Sequence, residues 1–188
     1  ATPLLRRGPS AVIGVGFGAE GRSLGSSNAD GSGAAWSLDD LAAPPAARHP
    51  PLGELRELAA TPDGRLLATV DFEDVIRLWD LGRPDAQPVE LGRGTVRVLS
   101  LAISPAGDRV AVAEEDGPIT LYEPARPGAA LALPADDMPA TALAFDPAGR
   151  RLAAGRPDGS VQLWDLARPD AAPESQIGHA STVTELVF

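Results

Sequence analysis

Several stretches of this chain carry residue types whose spacing does chemistry in other settings. Gly16-Phe17-Gly18-Ala19-Glu20-Gly21 has the glycine spacing of a dinucleotide cradle and follows an apolar run, with Asp39 about 20 residues further on, where a ribose-binding carboxylate would stand. That chemistry needs a helix directly after the glycines, and Arg22-Ser23-Leu24-Gly25-Ser26-Ser27-Asn28 offers none, so the stretch reads as a turn. Gly21-Arg22-Ser23-Leu24-Gly25 has the spacing of a hydrolase nucleophile elbow. The only candidate bases, His49 and His179, lack a recognisable orienting partner, so Ser23 reads as a strand-entry residue. Glu114-Glu115-Asp116, Asp136-Asp137 and Asp39-Asp40 concentrate carboxylates, the hard oxygen ligands that calcium prefers. They lack the spacing of a calcium loop and read as solvated surface charge. Two histidines and no cysteine leave no zinc ligand set. Trp36, Trp79 and Trp164 are capable of stacking on a ligand, and Arg83, Arg126 and Arg168, each followed by proline, of forming a repeated cationic contact surface. No catalytic, cofactor-binding or metal-binding residue is assigned, and no cofactor is expected.

The elements that position these residues emerge from an internal period. Trp36-Ser37, Trp79-Asp80, Tyr122-Glu123 and Trp164-Asp165 follow one another at steps of 43, 43 and 42 residues. Gly21, Gly64, Gly107 and Gly149 keep the same step, as do Phe17, Ala60, Ile103, Phe145 and Phe188. So do the pairs Asp30-Gly31, Glu73-Asp74, Asp116-Gly117 and Asp158-Gly159. Within each unit, Ile76-Arg77-Leu78-Trp79, Ile119-Thr120-Leu121-Tyr122 and Val161-Gln162-Leu163-Trp164 alternate aliphatic and polar, as a strand with one packed and one wetter face does. A short apolar run and a tight Asp-Gly turn precede it, which is a hairpin signal. Another apolar run ending in a Pro-x-Gly turn comes earlier still, and an Arg-Pro connection follows. Each unit therefore supplies about four short strands. Because the tryptophans keep the phase of the period, they read as structural residues, and the Arg-Pro pairs read first as solvated turns.

Composition bounds the function. The 188 residues suffice for one domain with a core, and 20 Gly with 19 Pro argue for short elements joined by turns. The formal charge of −10 disfavours nucleic acid and anionic membrane surfaces as partners. No apolar run is long enough to span a bilayer and no apolar signal core opens the chain, which points to the cytoplasm. The chain opens at Ala1, with one Met inside, and reads as a piece of a longer one.

Residues Phe145-Asp146-Pro147-Ala148-Gly149-Arg150-Arg151-Leu152-Ala153 through Asp158-Gly159-Ser160-Val161-Gln162-Leu163-Trp164-Asp165 resemble a WD40 repeat almost position by position, and Gly178-His179 resembles the start of another. The resemblance extends over essentially the whole chain. It implies an all-β fold, a β-propeller of four-stranded antiparallel blades, with about four complete blades and the start of a fifth. The units would run approximately over 7–49, 50–92, 93–134, 135–177 and, in part, 178–188 of a single segment 1–188. The implied signature residues are Trp36, Trp79, Asp80, Tyr122, Trp164 and Asp165, the turn residues Asp30, Asp116 and Asp158, and His179. The family often joins a His, an Asp, a Ser or Thr and the Trp in a buried network. Here the Ser/Thr position holds Ser26, Thr69, Val112 and Ala154, and the His position Gly8, Pro51, Gly94 and Asp136, with histidine only at His179. No complete unit can form that network, and the blades are expected to rely on apolar packing and backbone ladders. Four blades leave uncovered faces, so further blades are expected from additional sequence or from another copy of the chain.

The resemblance implies a non-catalytic protein–protein interaction scaffold or sensor module with unidentified protein partners. The Ala, Arg, Pro and Gly bias resembles that of a high-GC bacterial genome, and the expected setting is a larger multidomain bacterial signalling protein. The alternatives are a propeller hydrolase or lactonase with a metal in its channel, or a self-assembling repeat fragment. One Asn and two His make the first alternative hard to build.

Overall fold

The computed structural model describes residues 11–17, 23–28, 33–39, 47–49, 55–83, 86–116, 118–134 and 138–188. Asp30 and the His-position residues Gly8, Pro51 and Asp136 lie outside them, as does most of the 16–21 glycine stretch. All regular elements among the described residues are strands, arranged as four antiparallel sheets of four. The first holds β1 (Val12–Phe17), β2 (Ser23–Asn28), β3 (Gly33–Ser37) and β4 (Ala47–His49). The second holds β5 (Leu55–Ala60), β6 (Leu66–Asp71), β7 (Val75–Asp80) and β8 (Val89–Arg93). The third holds β9 (Val98–Ile103), β10 (Val110–Glu114), β11 (Ile119–Tyr122) and β12 (Ala130–Ala132). The fourth holds β13 (Ala142–Phe145), β14 (Arg151–Gly155), β15 (Ser160–Asp165) and β16 (Glu174–Ile177). In every sheet the strands pair in chain order, so each sheet is a simple meander. This is the propeller architecture that the repeat implies. Residues 178–188 follow the fourth sheet without forming a strand.

The turn chemistry explains why the meanders form. Gly64, Gly107 and Gly149 close the turn between first and second strands at φ 69°, 71° and 65°, a backbone region that a Cβ disfavours. Each donates its N–H back across the turn, to Thr61, Ser104 and Asp146 at 2.8, 2.8 and 2.9 Å. At the next turn the period places Gly159 (φ 85°) in blade four and Asp74 (φ 59°) in blade two. Asp is one of the few residues that tolerates this conformation, which is how a non-glycine fits there.

Packing between sheets is apolar and directional. One face of blade two (Ala68, Val70, Ile76, Leu78, Leu91) meets one face of blade three (Val98, Leu101, Ile103, Val110, Val112, Tyr122) in a single buried cluster. The opposite face of blade three, with Ala111, Ala113, Ile119, Leu121 and Leu133, meets Leu143, Phe145, Leu152, Ala154 and Trp164 of blade four. Residues one period apart thus do the same job in successive blades, small and aliphatic on the leading face, larger and aromatic on the trailing face. The fit is close: a Cβ on Gly92 of blade two would stand 2.7 Å from the Tyr122 ring of blade three. Interior strands are consequently buried on both faces, β10 over its entire length.

The expected wet face is reversed in β15. Gln162 is buried there while Val161 and Leu163 are half-exposed. Gln162 accepts a hydrogen bond from the buried Arg156, which satisfies its polarity. Val161 and Leu163 occupy the leading face, where the buried Val183 stands against Gly155 and its N–H bonds to the Arg156 carbonyl.

Candidate interaction surface

The antiparallel meander puts the first–second and third–fourth strand connections at one end of the stack, and the second–third connections at the other. Backbone bonds between turns fix the first end: Leu81 donates to Arg65 at 2.7 Å and Leu166 to Arg150 at 2.9 Å. The three Arg-Pro connections all lie at this end, and they are built alike. Arg83, Arg126 and Arg168 each donate their N–H to the carbonyl three residues back, at Asp80, Glu123 and Asp165 (2.9, 2.8 and 2.9 Å). Each accepts in turn from the N–H three residues on, at Ala86, Ala129 and Ala171 (2.9, 3.0 and 3.0 Å). The side chains repeat the pattern, with Arg83 Nε 3.7 Å from Asp80 Oδ2, Arg126 Nη1 3.9 Å from Glu123 Oε2, and Arg168 Nη2 3.0 Å from Asp165 Oδ2. The arginines are 75, 77 and 76% exposed, so water screens each pair and it adds little to stability. The arginines and the acidic residues after the aromatic position, which the sequence offered as separate features, are brought together.

Asp80 and Asp165 do more than pair. Asp80 Oδ1 accepts the Gly82 N–H and Asp165 Oδ1 the Ala167 N–H, both at 3.0 Å. Hydrogen bonds from Arg65 and, at the other site, from the Ala167 amide hold these carboxyls below the ordinary carboxylate range. The glycine turns at the same end are stiffened similarly: Asp63 accepts from Thr61 Oγ1 at 2.6 Å and from the Arg65 N–H at 3.0 Å, Asp108 from Ser104 Oγ at 2.7 Å, and Asp146 from the Arg150 and Arg151 amides at 2.6 and 2.9 Å.

The opposite end is organised by a polar pair that repeats in position and changes in chemistry, which sequence reasoning missed. Asp71 meets Arg77 at 2.5 Å in blade two, and Arg156 meets Gln162 in blade four. In blade three the same position holds buried Glu114, which accepts instead from the Thr95 amide (3.1 Å), the Thr95 hydroxyl (2.8 Å) and the Val96 amide (3.3 Å). Spacing was the available signal: 71, 114 and 156 keep the period, and a polar residue recurs there. Burial works to raise the Asp71 pKa, but amide bonds from Val75 and Glu73 and the Arg77 contact outweigh it and leave it lowered. Phe72 projects from this end, 58% exposed, with the Arg56 guanidinium 5.1 Å from its ring centre.

The aromatic positions differ in how their polar atom is satisfied. Trp79 donates to Thr69 Oγ1 at 3.0 Å and Trp164 to the Pro134 carbonyl at 2.9 Å. The buried Trp36 Nε1 has no partner among the described residues, although Ser26 stands in the Thr69 position. All three indoles belong to the blades, and Trp164 is 1% exposed. Asp158 caps its own turn, accepting from the Ser160 amide at 2.9 Å and hydroxyl at 2.6 Å. Asp116 lies in the β10–β11 connection, and the exposed His179 donates its N–H to the Gly159 carbonyl at 3.3 Å. Among the described residues no three His, Cys, Asp or Glu side chains cluster as a metal site, and no helix is long and apolar enough to cross a membrane.

Four meander sheets, the second, third and fourth of them packed face to face with repeated turns at either end, define a β-propeller. The chain is similar to the crystal structure of the Myceliophteria thermophila Cps50 (Swd1) β-propeller domain, with a TM-score of 0.78 and 21% identity over 98% of this chain. It spans 60% of the length of that domain. Residues 133–165 match the family described as WD domain, G-beta repeat, so this β-propeller contains a WD40 repeat. No curated protein sequence matches the chain. Solved chains that match it number 1540, too many for the fold to single out one function.

Proposed function

We propose that residues 1–188 form one WD40 propeller segment, with units near 7–49, 50–92, 93–134, 135–177 and 178–188, that serves as a non-catalytic scaffold or sensor for protein partners. The supporting observation is the division of labour within blades two to four. Apolar side chains fill the space between sheets, while the turns at both ends are pinned by their own hydrogen bonds and present exposed side chains. Rigid turns on a packed stack make a preorganised binding surface, and specificity then resides in the exposed residues. In the setting we favour, the segment is the recognition part of a larger cytoplasmic signalling protein of bacterial type, with further blades from additional sequence or a second copy.

The test is affinity capture on the tagged chain after chemical crosslinking in extract, against a tagged unrelated β-protein. A protein retained reproducibly by the chain alone is the expected result. Retention of nothing beyond the control would remove the scaffold role. Turnover of a lactone or ester panel would replace it with an enzymatic one.

A further inference from the structure

Resting on that scaffold role, we infer that a second copy of this chain completes the stack by strand exchange: residues 183–188 of one copy take the place of β1 in blade one of the other. The segment Val183-Thr184-Glu185-Leu186-Val187-Phe188 keeps the phase of a first strand. Val183 follows Ala140, and Phe188 follows Phe145, by 43 residues. It also leaves blade four as β9 leaves blade two. The His179 N–H bonds to the Gly159 carbonyl as the Gly94 N–H does to that of Asp74, and Val183 is held through its N–H by blade four as Val98 is by blade two. Yet residues 183–188 form no strand, and Val187 and Phe188 are 89 and 54% exposed.

The strand that they would replace is a poor one. β1 contains Gly14 and Gly16, its ladder with β2 is irregular between Val12 and Gly14, and Val15 is 71% exposed. Glycine inside a strand weakens it, because it has no side chain to pack and more backbone entropy to lose. Aligned on the period, Glu185, Leu186, Val187 and Phe188 stand for Gly14, Val15, Gly16 and Phe17, so the exchanged strand has neither glycine. Of the eight exposed large apolar side chains among the described residues, four (Val12, Val15, Val187 and Phe188) lie on these two segments. Exposure is concentrated where the copies would meet.

The blade faces match as well. Exchange lays blade one of one copy on the leading face of blade four of the other. That face presents Ala153, Gly155, Val161 and Leu163 where blade three presents Ala111, Ala113, Ile119 and Leu121. Blade one presents Leu24, Ser26 and Trp36 where blade four presents Leu152, Ala154 and Trp164. Between blades three and four these positions form a buried cluster, whereas Val161, Leu163, Leu24 and Trp36 are only half-buried. The proposed contact thus repeats one that the fold already contains. It also supplies a missing acceptor. Trp164 donates its indole N–H to the Pro134 carbonyl at the end of blade three, while Trp36 Nε1 has no partner among the described residues. The strand register puts Ile177 of blade four in the place of Pro134, so the Ile177 carbonyl of the second copy falls to Trp36. Propellers typically hold about four to eight blades, a range that two copies of a four-sheet chain fill and three exceed. Closure by two identical contacts leaves no free blade face, which limits the assembly to a pair. The turns at both ends of the stack stay open to other proteins.

The chain contains no cysteine, so engineered ones report the exchange directly. Phe17 pairs with Leu24 in the β1–β2 register, and exchange therefore sets Phe188 of one copy opposite Leu24 of the other, within disulfide reach. Under mild oxidation, Leu24→Cys chains mixed with Phe188→Cys chains should crosslink at least about tenfold faster than Leu131→Cys chains mixed with Phe188→Cys chains. Sedimentation of the wild-type chain over a dilution series should show a species of twice 19.3 kDa. The double variant Leu186→Asp, Phe188→Asp should associate at least about tenfold more weakly, and Leu131→Asp on β12 as wild type does. Circular dichroism checks the fold; if the double variant is unfolded, Phe188→Asp replaces it, with an expected loss of about threefold or more. A mass of 19.3 kDa at every concentration, a ladder of masses beyond the pair, or crosslinking no faster than in the Leu131→Cys control would overturn the exchange. A single-copy mass with proteins still captured from extract would remove the exchange and leave the scaffold role standing. A pair that captures nothing would do the reverse.

Discussion

The Asp74 carboxylate accepts the Val98 N–H at 3.0 Å, joining a turn of blade two to the first strand of blade three. Its carbonyl also accepts the Gly94 N–H at 2.8 Å, and Arg56 Nε lies 3.7 Å from the same carboxylate. Gly94 is the position where the WD40 resemblance places a histidine. With no imidazole available, the connection before β9 is held by two carboxylates, Asp74 from one side and Glu114 from the other. The incomplete network inferred from sequence is thus compensated at this seam by a different polar device.

Replacing Asp74 by alanine should destabilise the chain by about 2–4 kcal/mol, because the Val98 amide loses its acceptor and a β-carbon remains at positive φ without the local bonding that Asp supplies. Glycine at the same place relieves the backbone but not the lost bond, and should cost roughly 1 kcal/mol less. Urea unfolding of both variants measures the difference. Equal stability of the alanine variant and wild type would show that the bond carries no weight.

The Thr69–Trp79 bond is the surviving fragment of the network. Thr69 is 1% exposed, so Thr69→Val leaves the Trp79 indole N–H facing a methyl group and should cost about 1–3 kcal/mol. In a Trp79→Phe background the same change should cost much less, since no donor remains to be orphaned. A double-mutant cycle by chemical denaturation reads the coupling, and purely additive costs would mean that Thr69 acts by shape alone.

How far the molecule was legible in its sequence follows from the range of the interactions. Turns and strands are local: a glycine that needs positive φ, a Pro-x-Gly connection and period-2 alternation all declare themselves within ten residues, and the sheets form where those signals fall. The aromatic positions were legible as structural because they keep the period. The wet face assigned to β15 was not, since burial of Gln162 depends on Arg156 and on which blade face is covered. The pairing of Arg83 with Asp80, three residues away, was readable in principle. The Glu114 clamp on Thr95 was not, because nothing local says that a residue at the end of β10 faces a connection 19 positions earlier.

Glu57 supplies a pH prediction. It lies on β5, half-buried; burial raises its pKa above the ordinary 4.5, opposed by the charges of Arg56 and Arg97. The folded state therefore holds this proton more tightly than the unfolded chain, and stability falls as pH rises through the interval that starts near 4.5 and extends upward. Glu57→Gln cannot ionise, so it should lose that component of the slope and be the more stable chain at neutral pH. Thermal unfolding of both proteins from pH 4 to 7 tests this; parallel curves would assign the slope to other groups.

Two glycines separate backbone strain from contact. Gly128 and Gly159 have nearly the same φ, 82° and 85°, but a Cβ on Gly128 meets nothing within 4 Å, whereas one on Gly159 would stand 2.1 Å from the His179 carbonyl oxygen. Alanine at 128 should thus cost only the left-handed penalty, about 1–2 kcal/mol. Alanine at 159 adds a backbone clash that is relieved only by moving residues 178–183 off the β14–β15 turn. The Val183 N–H, bonded to the Arg156 carbonyl at 3.0 Å, reports that movement. Its hydrogen exchange should accelerate in Gly159→Ala and stay near wild type in Gly128→Ala, while amides in the center of β10 remain protected in both. Unchanged exchange at Val183 in Gly159→Ala would mean that the turn yields instead of the segment docked on it.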